Sequence, residues 1–400
     1  MKILVINCGS SSVKFKLFDA DGGEYQILAG GLVEKIAEKN SLVHMHWPAG
    51  MIDTKKMVSS HHEALELVER MLFDEGISSG FADLDIIVHR VVPGGEKFCQ
   101  PVVINDEVIR AITSLIPLAP LHNPFNLEGI MVMGKKIPHV KQMAIFDTAF
   151  HQTMPEVGYL YALPDDFYGL KNIRRYGFHG ISHSYLVQTA SSFLAENPDT
   201  LHIISLHLGN GASATAVKNG RSVDTSMGMT PMEGLVMGTR SGDVDPGILT
   251  YLEREYGLSG EKMDEILNTQ SGLKGLCGDN DMRDIVRRIE KGDKKAKLAF
   301  DIFCNRIKKY IGAYAAVLGR VDVLIFSGGI GTNSAEVREK VCEGLGYLGM
   351  QLDLKKNKIF DRKIGCIDDG SKNVRVLAID TDEELEMARQ AFAAQSFSGQ

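Results

Sequence analysis

Three segments of the chain place small residues directly after an apolar run: Asn7-Cys8-Gly9-Ser10-Ser11-Ser12, His207-Leu208-Gly209-Asn210-Gly211, and Ser327-Gly328-Gly329-Ile330-Gly331-Thr332-Asn333. Residues without bulk let main-chain N–H groups close around an anion, so each segment is suited to a phosphate. The third also precedes a helix start expected near Ser334, and Lys14 adds a positive charge two residues past the first turn. A plain hairpin accounts for any one of these turns, whereas three in one chain favour phosphate chemistry. None fits GxxxxGK[ST], and no protein-kinase signature set occurs. The Gly209-x-Gly211 turn lacks the strand-to-helix setting of a dinucleotide fingerprint, which argues against an NAD enzyme.

Charged residues punctuate the strands between these turns. Arg90 follows an apolar strand, and Arg240 lies in the small-residue loop Met237 to Asp243. A guanidinium in such a place suits two-pronged recognition of a carboxylate or phosphate, with a surface salt bridge as the plainer role. Asp147 ends the strand Met143 to Phe146, where an acid orients a nucleophile, holds Mg2+ through water, or simply caps the following turn. His179, flanked by Gly177 and Gly180, has access to a ligand. With His183 it has the spacing of a metal pair, but the glycines argue against a helix and no third ligand stands nearby. His122 sits in a proline-fixed loop and serves equally well as a structural donor. Thr381 and Glu384 form a capping box that leaves Glu383 free, as a candidate for magnesium or as a solvated first-turn acid.

The elements that must position these groups alternate between strand and helix. The strands Lys2 to Asn7 and Val13 to Phe18 flank the first turn, and Ile203 to Leu208 and Ala214 to Lys218 flank the second, half a chain later. That recurrence implies a duplicated architecture with one hairpin per domain, 1–150 plus about 384–400 and then 151–383. Ser60 with Glu63 makes a capping box for one helix. A longer helix runs from about Lys295 to Leu318, stopped by Gly319 and followed by a strand Val321 to Phe326, and Asp382 to Ala394 forms a last helix. At 400 residues and 44% hydrophobic composition, two domains of an ordinary globular enzyme are expected. No window is apolar enough for a membrane helix, and six scattered cysteines without a CxxC pair read as reduced thiols, so the cytoplasm is expected. A net charge of −7 with no long basic run argues against a nucleic-acid partner.

Taken together, these motifs resemble the acetate kinase family along nearly the whole chain. Val5 to Ser12 is similar to the family's N-terminal signature, and Tyr176 to His183 with His207 to Ser213 to its central one. His89 to Val92, Pro117 to Asn123, Phe146 to Gln152, Met237 to Gly242 and Gly328 to Ser334 are similar to further family motifs. The resemblance implies the α/β fold shared with sugar kinases, actin and heat-shock chaperone ATPases: two similar ribonuclease H-like lobes with a central nucleotide cleft. It implies that ATP or ADP phosphates are cradled by the two hairpins through Ser10, Ser12, Lys14, His207, Leu208, Gly209, Asn210 and Gly211. Asp281, Met282 and Arg283 with Gly329, Ile330, Gly331, Thr332 and Asn333 would hold the adenosine. Asn7 and Glu383 would place Mg2+, or Mn2+. Arg90 and His122 would grip the acid, Asp147 would be the catalytic acidic residue, and His179 with Arg240 would stabilise the phosphoryl in transit. Val92, Leu121, Phe178 and Pro231 would line a small apolar pocket, and a homodimer is implied. Pro93, Thr332, Met282 and Asp380-Thr381-Asp382 depart from the family pattern without removing a catalytic group.

The expected reaction is reversible phosphoryl transfer from ATP to acetate. A propionate or butyrate kinase is the nearest rival, because one methylene in an apolar pocket is worth only about 1–3 kcal/mol. A phosphohydrolase or a chaperone-like ATPase switch is the reading from a different class.

Overall fold

A computed structural model of the chain describes residues 1–119 and 122–397. The chain divides into two compact units, one formed by Met1–Ala149 with the segment from Asp382 onward, the other by Phe150–Thr381.

The first unit is built on an eight-stranded sheet: β1 (Lys2–Gly9), β2 (Ser12–Asp21), β3 (Glu24–Glu34), β4 (Ser41–Trp47), β5 (Gly50–Lys56), β6 (Ile86–Val91), β7 (Val102–Val103) and β8 (Lys141–Phe146), in the order β5-β4-β3-β2-β1-β6-β8-β7. β1, β2 and β3 form an antiparallel meander, and β6 and β8 run parallel to β1. Strands buried on both faces carry unbroken apolar runs, as Ile3–Ile6 and Ile86–Val88 do. One face is covered by the helices His61–Asp74 and Asn123–Lys136, which pack Leu65, Val68 and Met133 against Leu4, Ile6 and Phe15. The helix Glu383–Phe397 packs on β1, β2, β6 and β8.

The second unit has β9 (His202–Leu208), β10 (Ala212–Lys218), β11 (Arg221–Thr225), β12 (Val323–Ser327), β13 (Ile364–Cys366) and β14 (Arg375–Ile379), in the order β11-β10-β9-β12-β14-β13. Again three strands form an antiparallel meander, and two more, β12 and β14, run parallel to the first of them. Each unit therefore contains the same five-strand order, third-second-first-fourth-fifth, which is the ribonuclease H-like pattern. The helix Gly180–Leu194 packs Leu186, Val187 and Ala190 on Ile203, Ile325 and Leu377. The 25-residue helix Lys294–Leu318 packs on β9 and β10, and Gly319 ends it in the left-handed region at φ 74°.

Several local expectations are corrected. Ser60 does cap its helix, accepting from Glu63 N at 3.2 Å, but the Glu63 carboxylate reaches Ser59 N and Oγ instead of completing the box at Ser60. At the last helix Asp382, not Thr381, accepts from Leu385 N at 2.9 Å, while Thr381 Oγ1 bonds Ser182 Oγ. The glycine-rich run after β12 is itself a short helix, Gly328–Asn333, with Ser334 capping the helix that follows. His179 directly precedes the helix that contains His183, because a left-handed backbone at His179 (φ 57°) turns the chain into it despite the glycines.

Candidate active site

In the first unit the turn Ser10-Ser11 joins β1 to β2 in register Gly9↔Ser12. Its backbone is pinned from below: His61 Nε2 bonds the Gly9 carbonyl at 2.7 Å, and Asn126 Nδ2 donates to the Cys8 carbonyl at 2.8 Å. Asn126 Oδ1 also accepts from Val92 N at 3.2 Å, so one buried amide ties the end of β1 to the segment after β6. Ser10 is exposed and Ser12 half-buried, while Asn7 sits half-buried near the end of β1. Lys14 does not stand as a spare cation beside this turn, because its ammonium pairs with Glu384 at 2.7 Å.

Arg90 and Asp147 lie at the ends of neighbouring parallel strands. Arg90 Nε and Nη2 donate to the two Asp147 oxygens at 3.2 and 2.5 Å, a two-pronged pair. Glu383, which the sequence suggested was free, lies 3.6 Å from Arg90 Nη1. The first turn of the last helix thus faces the strand ends. Burial pushes the Asp147 carboxyl up from its ordinary value, against the opposing pull of Arg90. Two carboxylates share one guanidinium, and the neighbouring Lys16 is already paired with Asp382 at 2.8 Å. Val92 is buried and His122 precedes the helix Asn123–Lys136, its N–H donating to Ala119 O at 3.1 Å. Leu121 lies outside the described residues.

Among the described residues no group of three or more His, Cys, Asp and Glu side chains is arranged to hold a metal ion. The donors of this corner, the Asn7 amide and the Glu383 and Asp147 carboxylates, are all hard oxygens. They suit Mg2+, which takes one or two protein oxygens and keeps the rest of its shell for water and phosphate.

In the second unit Gly209, Asn210 and Gly211 join β9 to β10, closed by Gly209 N donating to Gly211 O at 2.9 Å. A methyl at Gly211 would sit 3.4 Å from His179 Cε1 and Nε2 and 3.7 Å from Arg240 Nη1, so an imidazole edge and a guanidinium converge on this turn. The His179 ring stacks on His207 with centroids 4.3 Å apart. Arg240 is held by its Nη1 bond to Pro231 O at 3.1 Å and has no carboxylate partner among the described residues. Burial pulls its ionisation down from the ordinary guanidinium value, the signature of a cation lacking a counter-charge. Pro231 thus holds Arg240 through its carbonyl, beyond any service as an apolar wall. Phe178 is buried.

Beside this turn lies a cavity of about 600 Å³ lined by Gly209, Asn210, Asp281, Met282, Gly329 and Asn333, among others. Arg283 and Ile330 also line it, but Gly331 and Thr332 do not. Those two face inward, with Thr332 Oγ1 donating to Gly328 O at 2.9 Å and Gly331 packed toward Phe326 and Leu208. The correction follows from helix geometry, since alternate sides of Gly328–Asn333 face the sheet and the cavity. Asp281 caps the helix Met282–Glu290, and its hydrogen bonds from Arg283 hold its carboxyl down at about 2. Leu208 is fully buried under the turn.

Sequence reasoning passed over the polar groups behind His179. His183, weighed as a metal ligand, has both ring nitrogens on serines: Nδ1 on Ser205 Oγ at 2.9 Å and Nε2 on Ser213 Oγ at 2.8 Å. His151 bonds the Phe178 carbonyl and Ser222 Oγ. The signal available was the alternation of Ser and His along β9, with Ser205 and His207 two residues apart.

A family model described as the acetokinase family matches residues 2–389. An acetate kinase of Sulfurovum sp. (strain NBC37-1) is 50% identical over 391 residues, 98% of each chain. The crystal structure of Porphyromonas gingivalis acetate kinase superposes with a TM-score of 0.91 at 44% identity, covering 98% of this chain and 99% of that one. A propionate kinase structure from Francisella tularensis reaches the same TM-score at 41% identity, over 97% and 98% of the two chains.

Proposed function

The chain belongs to the acetokinase family, and from that premise we propose that it transfers the γ-phosphoryl group of ATP reversibly to acetate, giving ADP and acetyl phosphate. The observation that carries this reading is the pairing of two kinds of site: a nucleotide-sized cavity beside a glycine turn in one unit, and in the other a strand-end arginine that still has donors for a carboxylate.

In this reading the cavity at Met282 and Ile330 takes the adenosine, and the Gly209-Asn210-Gly211 turn takes phosphate oxygens. Arg240 and His179 supply positive charge and a donor to the phosphoryl in transit, which is the work such a loose transition state requires. Arg90 binds the acid through its Nη1/Nη2 edge, with Glu383, 3.6 Å from Nη1, giving way to it, while Asp147 holds the other edge. A carboxylate nucleophile needs no base, so Asp147 orients Arg90 instead of removing a proton. Asn7 and Glu383 would hold Mg2+ on the nucleotide, where the ion neutralises phosphate charge.

The test is ADP formation by the purified protein with Mg2+ and acetate, propionate, butyrate or no acid. Turnover that requires an acid and is best with acetate supports the proposal; equal ADP release without acid overturns it in favour of a hydrolase. Arg90→Ala is expected to abolish the acid-dependent part, and unchanged activity would again favour the hydrolase. The likeness to a propionate kinase structure makes propionate the second reading.

We also infer a homodimer in the cytoplasm. Six free cysteines accord with a reducing compartment, and no described helix is long and apolar enough to cross a membrane. The second unit exposes Val157, Leu163, Leu170, Ile248 and Tyr256, apolar surface of the kind that subunit contacts cover. Light scattering on the eluting protein checks the mass, and a monomer at micromolar concentration contradicts the dimer.

A further inference from the structure

Behind the Gly209–Gly211 turn lies a chain of buried hydroxyls and imidazoles that ends on His179. Ser213 Oγ is shared: it lies 3.0 Å from His179 Nδ1 and 2.8 Å from His183 Nε2. The far side of His183, Nδ1, lies 2.9 Å from Ser205 Oγ. Ser205, Ser213 and His183 are all fully buried, at 0% exposure, so no water competes for these bonds.

A hydroxyl carries one proton. Accepting from both imidazoles would leave the buried Ser213 O–H without an acceptor, so between two neutral rings Ser213 donates to one and accepts from the N–H of the other. The row then has two self-consistent directions. In the first, Ser205 donates to His183 Nδ1, His183 Nε2–H donates to Ser213, and Ser213 donates to His179 Nδ1, which leaves the His179 proton on Nε2. In the second every bond reverses, and His179 Nε2 carries no proton.

One feature selects the first direction and a second keeps the ring neutral. The Cε1–Nε2 edge of His179 is the edge turned toward Gly211, so a lone pair there would face the phosphate the turn is built for. His179 also caps the 15-residue helix Gly180–Leu194, whose positive end disfavours a second proton on the ring. A neutral ring donates toward the turn only as the Nε2–H form. The adjoining ring is fixed by the same logic. His151 Nε2 lies 3.0 Å from the Phe178 carbonyl, which only accepts, so His151 is the Nε2–H form and receives from Ser222 at Nδ1. Burial holds His183 well below its ordinary value, with His151 and His207 adding to the effect, and holds His151 at about 4, so neither ring takes up a proton near neutral pH.

We propose that Ser205, His183 and Ser213 are positioning residues that fix His179 as the neutral Nε2–H tautomer, so that it donates to a phosphate oxygen at the Gly209–Gly211 turn. The row of bonds stands on the geometry alone, whereas the choice of its direction, like the identity of the ligand, rests on the phosphotransferase reading.

The experiment is a long-range proton–nitrogen correlation spectrum of the full chain with 15N-labelled histidine at pH 7.5, with and without ADP, the His179 signals assigned by their loss in His179→Gln. The expected wild-type pattern is a neutral ring protonated at Nε2. A ring protonated at Nδ1, or an imidazolium, overturns the proposal. In Ser213→Ala the fixed pattern is expected to be lost, and kcat to fall on the order of 100-fold with the nucleotide KM within about twofold, the signature of a lost transition-state donor. An unchanged His179 pattern in that variant also overturns it. Should Ser213→Ala not fold, the wild-type spectrum decides alone. The Nε2–H form in a protein without acid-dependent turnover would support the tautomer assignment while overturning the proposed reaction.

Discussion

Arg90 carries five donors in a rigid fork, and Asp147 occupies only the Nε/Nη2 edge. The remaining edge, where Glu383 already lies 3.6 Å from Nη1, suits a second carboxylate of the same geometry, which a lysine cannot reproduce. Arg90→Lys is therefore expected to lower kcat/KM for the acid on the order of 100-fold in a coupled ADP assay, more than a conservative charge swap at a surface pair would do. Val92 is 6% exposed, and trimming it to Ala opens room for about one methylene. The kcat/KM ratio for propionate over acetate should rise roughly 10-fold in Val92→Ala; a ratio that stays put would remove Val92 from the acid pocket. At this scale the sequence displayed the groups with chemistry in plain view. It did not display their pairing, because Glu383 and Arg90 meet only after nearly three hundred residues of chain intervene, and spacing along the chain carries no trace of such a contact.

Among the elements, two glycines of the phosphate-type turns differ in what they tolerate. Gly328 has φ 74°, and a methyl there would sit 2.6 Å from Leu208 O and 2.8 Å from Leu208 C, so the helix Gly328–Asn333 starts where only a missing side chain fits. Gly328→Ala should destabilise the fold by at least about 2 kcal/mol, read as a lowered Tm. Gly211 meets its neighbours at ordinary contact distance, 3.4 Å at the nearest. Gly211→Ala should melt within a degree or two of the parent yet lose activity, since the added methyl fills the approach to His179 and Arg240. Equal melting of the two variants would refute the distinction. Strand-turn-strand units are written locally in apolar runs and small residues, so both hairpins were legible. Helix caps were less so: Asp382 and Thr381 are both good cap residues, and which one caps depends on where the chain enters the helix. The strands Ser41–Trp47 and Gly50–Lys56 escaped notice because, toward the sheet edge, the second of them has no buried face to impose a two-residue alternation.

For the whole molecule, each unit contains a histidine buried without its proton: His89 in the first and His151 in the second, both held at about 4 by burial. An unfolded chain binds a proton at each near the ordinary 6.5, so between pH 6.5 and 4 the unfolded state carries more protons and stability falls as the pH drops. Each ring costs folding about 2 kcal/mol by pH 5, and both units are expected to lose Tm between pH 7 and pH 5. A Tm that does not change over that range would mean the rings are protonated in the folded state. The duplicated strand order was legible because the same hairpin signal returns half a chain later, and the acid-sensitive histidines were not, since burial is a property of the folded whole.

The tight fit beneath the first turn has one more outcome. Cys8 is 3% exposed, its thiol pushed up to about 12 by burial, and the bare Cα of Gly129 leaves so little room that a methyl there would lie 2.7 Å from the sulfur. No alkylating reagent reaches that sulfur in the closed protein, and a buried thiol with so little thiolate would react slowly even if one did. Cys99 is exposed and Cys366 partly so, whereas Cys277, Cys304 and Cys342 are buried like Cys8. A brief pulse of iodoacetamide should therefore mark Cys99 first, and the later appearance of label on Cys8, read by mass spectrometry of its peptide, becomes a clock for how often the floor of the first turn opens.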